Sequence, residues 1–274
     1  MIYSKEETEK IKEQTFHYIQ VREEDHCLTL TINRPAKKNA MNPVMVNELA
    51  YGLSYAHHNP SIWAVVIDAN GDIFSAGADL KAFAGMSQEE HNSTIPEPKG
   101  EVLIAELFTN LHKPCIAKVH APVLAGAFLI ICGCTHVVAA DTATFSLPEV
   151  KRGIWPMQVM QSLINILPSR IALDLCMRGK SMSCKEAHDL GLVTSIVAAN
   201  ELDISVNSLL EEIKKNSPSA IRHGLKAYDE LRSIPDDEKQ AYLKKMLFAV
   251  LGTADAAEGI TAFKEKRSPK WTGN

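Results

Sequence analysis

Two short turns of small residues carry the first chemical signal in this sequence. One is Leu124-Ala125-Gly126-Ala127, inside a stretch that runs from Ala121 to Glu149, and it feeds the apolar run Phe128 to Ile131. Small residues leading straight into an apolar run predict a tight turn into a buried helix. A helix start presents N–H groups that have no carbonyl partner, together with the positive end of the peptide dipoles. Glycine in that first turn lets a ligand oxygen approach the backbone with no Cβ in the way. Such a place suits an oxygen that becomes negative during reaction, because fixed donors gain most where charge appears only in the transition state. The other turn is Phe74-Ser75-Ala76-Gly77-Ala78-Asp79-Leu80. It follows the β-branched run Ala64-Val65-Val66-Ile67 and the turn residues Asp68-Ala69-Asn70-Gly71. The Ala78 N–H is a second donor expected at the same spot. One helix-start glycine alone more often serves close packing than catalysis.

With these motifs the chain resembles the crotonase superfamily, also called the enoyl-CoA hydratase/isomerase family. The likeness rests on Asn33-Arg34-Pro35 with Asn39-Ala40-Met41-Asn42, on Phe74 to Leu80, on Leu124 to Ala127 with Pro148-Glu149, and on Phe263-Lys264-Glu265-Lys266-Arg267. It extends from about His17 to Trp271, in the family's order and spacing. The resemblance implies an α/β fold, a crotonase-like spiral of ββα units over residues 1–200, followed by a C-terminal helical oligomerisation region over 201–274. That region forms trimers in the family, often paired into hexamers. The implied substrate is an acyl-CoA thioester whose thioester oxygen lies between the N–H groups of Ala78 and Gly126. Coenzyme A is then part of the substrate, and no separate cofactor is expected.

An acid/base group must also reach the acyl chain. Hydratases of the resembled family usually carry two glutamates, and here the matching positions are Leu129 and Glu149. Leucine cannot transfer a proton, so the acid/base role falls to Glu149 alone. Hydration divides well between two carboxylates, whereas moving a double bond between the β,γ and α,β positions needs one base that removes a proton at C2 and returns it at C4. The expectation therefore leans to isomerisation. Hydration by a single glutamate, and a catalytically inactive CoA-binding or assembly protein, are the alternatives. The resemblance also places Ala36, Lys37 and Lys38 near the CoA moiety, with Ala76, Ala78, Asp79 and Leu80 beside them, and Leu129 and Trp155 at the acyl pocket. Met157 stands next to that pocket wall, and Phe263 and Lys266 are expected from a neighbouring subunit, with Lys266 toward a phosphate. Read on their own, these lysines are solvated surface residues, and Leu129, Trp155 and Met157 are ordinary core. Decarboxylation, dehalogenation and thioester hydrolysis need side chains that the sequence does not clearly display. A serine peptidase of the distantly similar spiral fold needs a serine at the start of the central helix, where Leu124 to Ala127 offer none.

The elements that must position these groups follow from periodicity. Tyr18 to Val21 and Leu28 to Ile32 read as a hairpin. Asn42 caps a helix with Pro43 at its first position, and apolar residues at Met45, Val46, Leu49, Ala50 and Leu53 hold helical period to about Ala56. His57 and His58 are expected at that helix end on the surface, where an imidazolium suits the negative dipole end. Residues Ser4 to Gln14 read as a short peripheral helix or loose arm, Gly85 to Gly100 as a mobile loop, and Val102 to Leu111 as a helix. Further strands are expected at Ile62–Ile67, Cys115–Val119, His136–Ala140, Ala143–Phe145 and Leu192–Val197. After Pro156 the chain turns helical, ending in four helices from Asp203 to Lys266. Stripes such as Leu243, Leu247 and Val250 on this tail imply burial against something else.

Hydrophobic residues make up 46% of the 274 and charged residues 23%, enough for a sizeable core and against general disorder. A net charge of −4, with Lys and Arg dispersed, argues against nucleic acid. The charged first residues lack the apolar core of a signal peptide, and Ala121 to Cys134 is too short and too broken to span a bilayer, so a cytoplasmic protein with no membrane association is expected. The six cysteines and ten histidines show no ligand spacing; reduced thiols and no metal are expected.

Overall fold

The computed structural model describes residues 1–86 and 89–274. Its strands are β1 (Ile19–Glu24), β2 (Cys27–Ile32), β3 (Ala64–Ala69), β4 (Cys115–Val119), β5 (Val123–Leu124), β6 (His136–Ala140), β7 (Thr144–Ser146), β8 (Ser181–Ser183) and β9 (Ser195–Val197). Six of them form one sheet in the order β1-β2-β3-β4-β6-β9, and β5, β7 and β8 form a smaller one. β1 and β2 are the expected antiparallel hairpin, closed by Asp25 and His26, both at positive φ as a two-residue turn requires. From β2 through β9 the large sheet is parallel. The α/β expectation holds.

Burial on both faces of this sheet explains why its strands read as nearly continuous apolar runs. Leu28, Leu30 and Ile32 of β2, Val65 and Ile67 of β3 and Ala117 of β4 join the main core, which also takes in Met45, Leu49 and Leu53 of the helix Pro43–His58. The alternate residues Ala64, Val66, Ile116 and Val138 face the other way and pack against Leu202, Val206 and Leu210 of the helix Leu202–Lys214. The first helix after residue 200 thus covers the second face of the sheet. Beyond it come Pro218–Glu230, Lys239–Leu251 and Ala254–Glu265, whose Leu247, Phe248, Leu251, Ile260 and Phe263 are exposed in the single chain. Lys239–Leu251 has no buried residue of its own.

Local signals hold where they are strong. Asn42 accepts the Met45 N–H at 2.9 Å and Pro43 opens the helix, a cap worth about 1 kcal/mol. Other expectations change. The N-terminal segment is no loose arm: Ser4 and Glu7 form a reciprocal capping box on Lys5–Thr8, and Tyr3, Thr8 and Ile11 are buried. His57 is half-buried rather than on the surface, and burial pushes its pKa down to about 4, against the dipole argument. Of the stretch 85–100, residues 87–88 lie outside the described residues, and from Glu89 onward it is pinned. Tyr18 Oη donates to Glu89, the Thr94 N–H to Thr15 O at 3.0 Å, and Tyr3 Oη to Pro96 O at 2.6 Å. The helix after Gly126 is short, a 3-10 turn Ala125–Ala127 running into Phe128–Gly133.

Candidate active site

Strand register decides which turns meet. In the small sheet β5 and β7 run parallel, with Val123 opposite Phe145 and Leu124 opposite Ser146. An isolated parallel bridge sets Ser75 on the other side of Val123. Ser75, Val123 and Phe145 therefore lie side by side with their chains running the same way. From that one end the chain continues to Gly77 and Ala78, to Gly126, and to Glu149.

Hydrogen bonds aim the first donor. The Met41 N–H donates to Gly77 O and the Asp79 N–H to Met41 O, both at 2.8 Å, a parallel bridge between Met41 and Ala78. In such a ladder the residue between the two bonded groups turns its own amide to the opposite edge. The Ala78 N–H thus faces away from Met41, and Gly126 lies close by: a methyl placed on Gly126 would lie 3.3 Å from Ala78 N. Gly77 reaches this turn at φ +86°, and a Cβ there would sit 2.6 Å from Gly126 N. The second donor is set by Ala125, a non-glycine residue at φ +53°, a conformation that costs an L-residue about 1–2 kcal/mol. Among the described residues, neither Ala78 N nor Gly126 N donates to a backbone carbonyl.

Glu149 sits in the first turn of the 3-10 segment Pro148–Arg152, which Gly153 ends at φ +72°. The carboxylate is half-buried, and its Oε2 is enclosed with no hydrogen-bond partner among the described residues. Burial pushes its pKa up, offset in part by its own backbone N–H and by Arg152. The helix Ser169–Arg178 packs over this turn and brings Cys176 near, whose thiol is pushed up by burial and by the Glu149 charge. A carboxylate kept short of partners is a stronger base than a solvated one.

Leu129, 6% exposed, belongs to the core one turn after Gly126. Trp155 is half-buried, with its indole N–H on Met160 Sδ at 3.3 Å, while Met157 is exposed. Ala36, Lys37 and Lys38 form a short turn beside the first donor loop, because the Ala76 N–H donates to Lys38 O at 3.0 Å. Both ammonium groups are on the surface. The Asp79 carboxylate is spent within the protein, on the Ala82 N–H and on Arg34, and Leu80 is exposed. Phe263, 87% exposed, and Lys266 lie at the end of the last helix, which packs on Pro218–Glu230 and Lys239–Leu251; the single chain does not bring them to this cluster.

The structure adds residues that spacing does not single out. Asn39 is fully buried at φ +53° and staples the two loops: its Oδ1 accepts from Arg34 N, its Nδ2 donates to Asn70 O and Ile73 O, and its carbonyl accepts from Ser75 Oγ. Arg34, buried, joins Asp79 to Glu89. Asn39 and Arg34 stand in motifs of the sequence, but nothing local reveals their partners. Two cavities, of about 650 and 620 Å³, lie elsewhere, and Leu129 is the one residue of this cluster that lines the second.

A sequence profile of the enoyl-CoA hydratase/isomerase family matches residues 22–274. The chain is similar to a probable enoyl-CoA hydratase, echA8, of Mycobacterium bovis, 30% identical over 265 residues that cover 94% of this chain and 99% of that protein. It is similar to the carnitinyl-CoA dehydratase of Escherichia coli O157:H7, 33% identical over 252 residues, 90% of this chain and 95% of that one. Among solved structures, an enoyl-CoA hydratase from Mycobacterium tuberculosis H37Rv superposes with a TM-score of 0.82 at 32% identity, covering 94% of this chain and 99% of that one.

Proposed function

This chain belongs to the enoyl-CoA hydratase/isomerase family, and we propose that it binds an acyl-CoA thioester with the thioester oxygen between the Ala78 and Gly126 N–H groups and moves a proton with Glu149. The observation that carries this reading is the alignment of Ser75, Val123 and Phe145, which sends two donor turns and one poorly solvated carboxylate out of the same edge. With the oxygen held by two fixed donors, negative charge spreads from C2 onto oxygen at low cost. Glu149 takes the C2 proton of a β,γ-enoyl thioester; the electron pair forms a dienolate, and the proton returns at C4 to leave the α,β double bond. The exchange is redox-neutral and calls for no cofactor beyond the thioester itself. Lys37 and Lys38, exposed next to the donor loop, suit the phosphates of CoA.

A second reading, hydration with Glu149 moving the proton of a bound water, is favoured by the names of the relatives, a hydratase and a dehydratase. Leu129, at the first of the two positions where hydratases of the family carry glutamate, favours the isomerase reading. Purified protein assayed with 3-enoyl-CoA and 2-enoyl-CoA thioesters of several chain lengths, following migration and hydration separately, decides between them. Migration without hydration is expected; hydration as the main reaction refutes the isomerase reading, and no turnover of any thioester refutes both. The exposed Leu247, Phe248, Leu251, Ile260 and Phe263 fit assembly of copies of this chain into a trimer or a hexamer, and a monomeric mass by light scattering refutes that assembly.

A further inference from the structure

The Ala78 donor depends on a two-residue bridge, and a two-residue bridge is weak by itself. One side chain reinforces it from both sides. Arg34 Nη1 donates to Ala40 O at 2.6 Å and to Asp79 Oδ2 at 2.9 Å. Ala40 precedes Met41 and Asp79 follows Ala78, so one guanidinium nitrogen joins the two strands of the Met41–Ala78 bridge. Nε donates to the Glu89 carboxylate at 3.1 Å, Nη2 lies 2.7 Å from the same carboxylate as an ion pair without hydrogen-bond geometry, and the Tyr18 ring lies 5.3 Å from the guanidinium carbon. Tyr18 in turn donates its hydroxyl to Glu89 at 2.7 Å. Its backbone N–H is anchored, with those of His17 and Ile19, on the fully buried Glu48 carboxylate. The Arg34 side chain is 4% exposed, which removes it from contact with a CoA phosphate.

We propose that Arg34 is a positioning residue for the oxyanion site: acting through Asp79 and the Ala40 carbonyl, it fixes the register that turns the Ala78 N–H away from Met41. This rests on the reading of Ala78 and Gly126 as donors to a thioester oxygen. A planar fork is needed, because a lysine ammonium at this place is a point charge that cannot reach Ala40, Asp79 and Glu89 together. Arg34→Lys therefore keeps the charge and loses the alignment. Asp79→Asn keeps an oxygen for the Ala82 N–H and weakens only the link to Arg34.

The test uses an aryl-conjugated enoyl-CoA whose absorption moves to the red when its carbonyl is polarised by hydrogen bonds. In Arg34→Lys and Asp79→Asn the probe is expected to bind with a Kd within about threefold of the unmutated protein, while its red shift falls by about half or more and kcat drops about tenfold or more with KM little changed. A full red shift in either folded variant overturns the proposal, as does weaker binding with the red shift intact, which marks a role in binding alone. Should Arg34→Lys not fold, Asp79→Asn gives the same readout. Absence of any red shift in the unmutated protein is a different result: it refutes the oxyanion reading itself.

Discussion

Replacing Gly126 with alanine separates chemistry from folding at this site. Gly126 has no positive φ, so an L-residue meets no backbone penalty there. The added methyl lies 3.3 Å from Ala78 N, 3.7 Å from Gly77 Cα and 3.8 Å from Met41 Cε, contacts that need a shift of only a few tenths of an ångström. Mild crowding is offset by the smaller entropy of an unfolded chain that has lost a glycine, so stability is expected to change by no more than about 1 kcal/mol. Function is another matter. A thioester oxygen accepting from Ala78 N must come within about 2.9 Å of it, and a carbon at van der Waals distance from that nitrogen competes for the space. Losing one oxyanion donor costs about 2.7–4 kcal/mol, or roughly 10²–10³ in kcat. Gly77→Ala is the contrasting change: at φ +86° its methyl meets Gly126 N at 2.6 Å, Ala125 Cβ at 2.8 Å and Leu124 O at 3.0 Å, mostly backbone atoms that cannot yield. Strain and overpacking there sum to about 2–5 kcal/mol. Steady-state kinetics with an enoyl-CoA, beside thermal unfolding followed by circular dichroism, reads both effects. A folded Gly126→Ala protein with kcat within about threefold of the unmutated one refutes the Ala78 N–H as an oxyanion donor, and a Gly77→Ala protein of undiminished stability refutes the tight backbone approach at Gly77.

Glu149→Gln is expected to abolish turnover while leaving acyl-CoA binding in place, and to raise stability by about 1 kcal/mol at pH 7, because it removes a charge from an enclosed oxygen that has no partner. Since burial raises the Glu149 pKa, the cost of its charge is absent below the unfolded value and appears as pH rises through the folded one; the stability gap to Glu149→Gln should therefore vanish in acid, and a gap independent of pH contradicts this. A base must be ionised, so the acid limb of kcat/KM should lie above the ordinary glutamate value of about 4.3; a limb at or below it rules out Glu149 as the base. The knot around Arg34 titrates in the opposite sense. Burial works against the charge on Asp79, but Arg34 and the Ala82 N–H outweigh it, and Arg34 and Tyr18 lower Glu89. Their contribution is present above the unfolded values near 4 and is lost as pH falls through the lower folded ones. The stability gap between unmutated protein and Glu89→Gln should stay constant from about pH 7 to 5 and close below about pH 4, and a gap that closes already near neutrality contradicts the assignment.

Local chemistry made much of this protein legible in its sequence. β-branched runs marked the strands of the large sheet, Asn42 and Pro43 marked a helix start, and two glycine turns marked where a backbone donor could stand free. Leucine at position 129 excluded a second proton carrier with no structure in hand. Each of these depends on near neighbours along the chain: a dihedral, a cap, or the presence of an ionisable atom. Tertiary structure alone decided the rest. The Ala78 N–H faces away from Met41 because of the bridge between them, and the register of Ser75, Val123 and Phe145 sends the chain on toward Gly77, Gly126 and Glu149 from one edge. Glu89 reaches Arg34 across a loop whose composition announced no structure, and His57, expected on the surface, is half-buried by neighbours distant in sequence, which pushes its pKa down to about 4. Orientation and desolvation are set by which segments pack together, and that is a property of the whole chain.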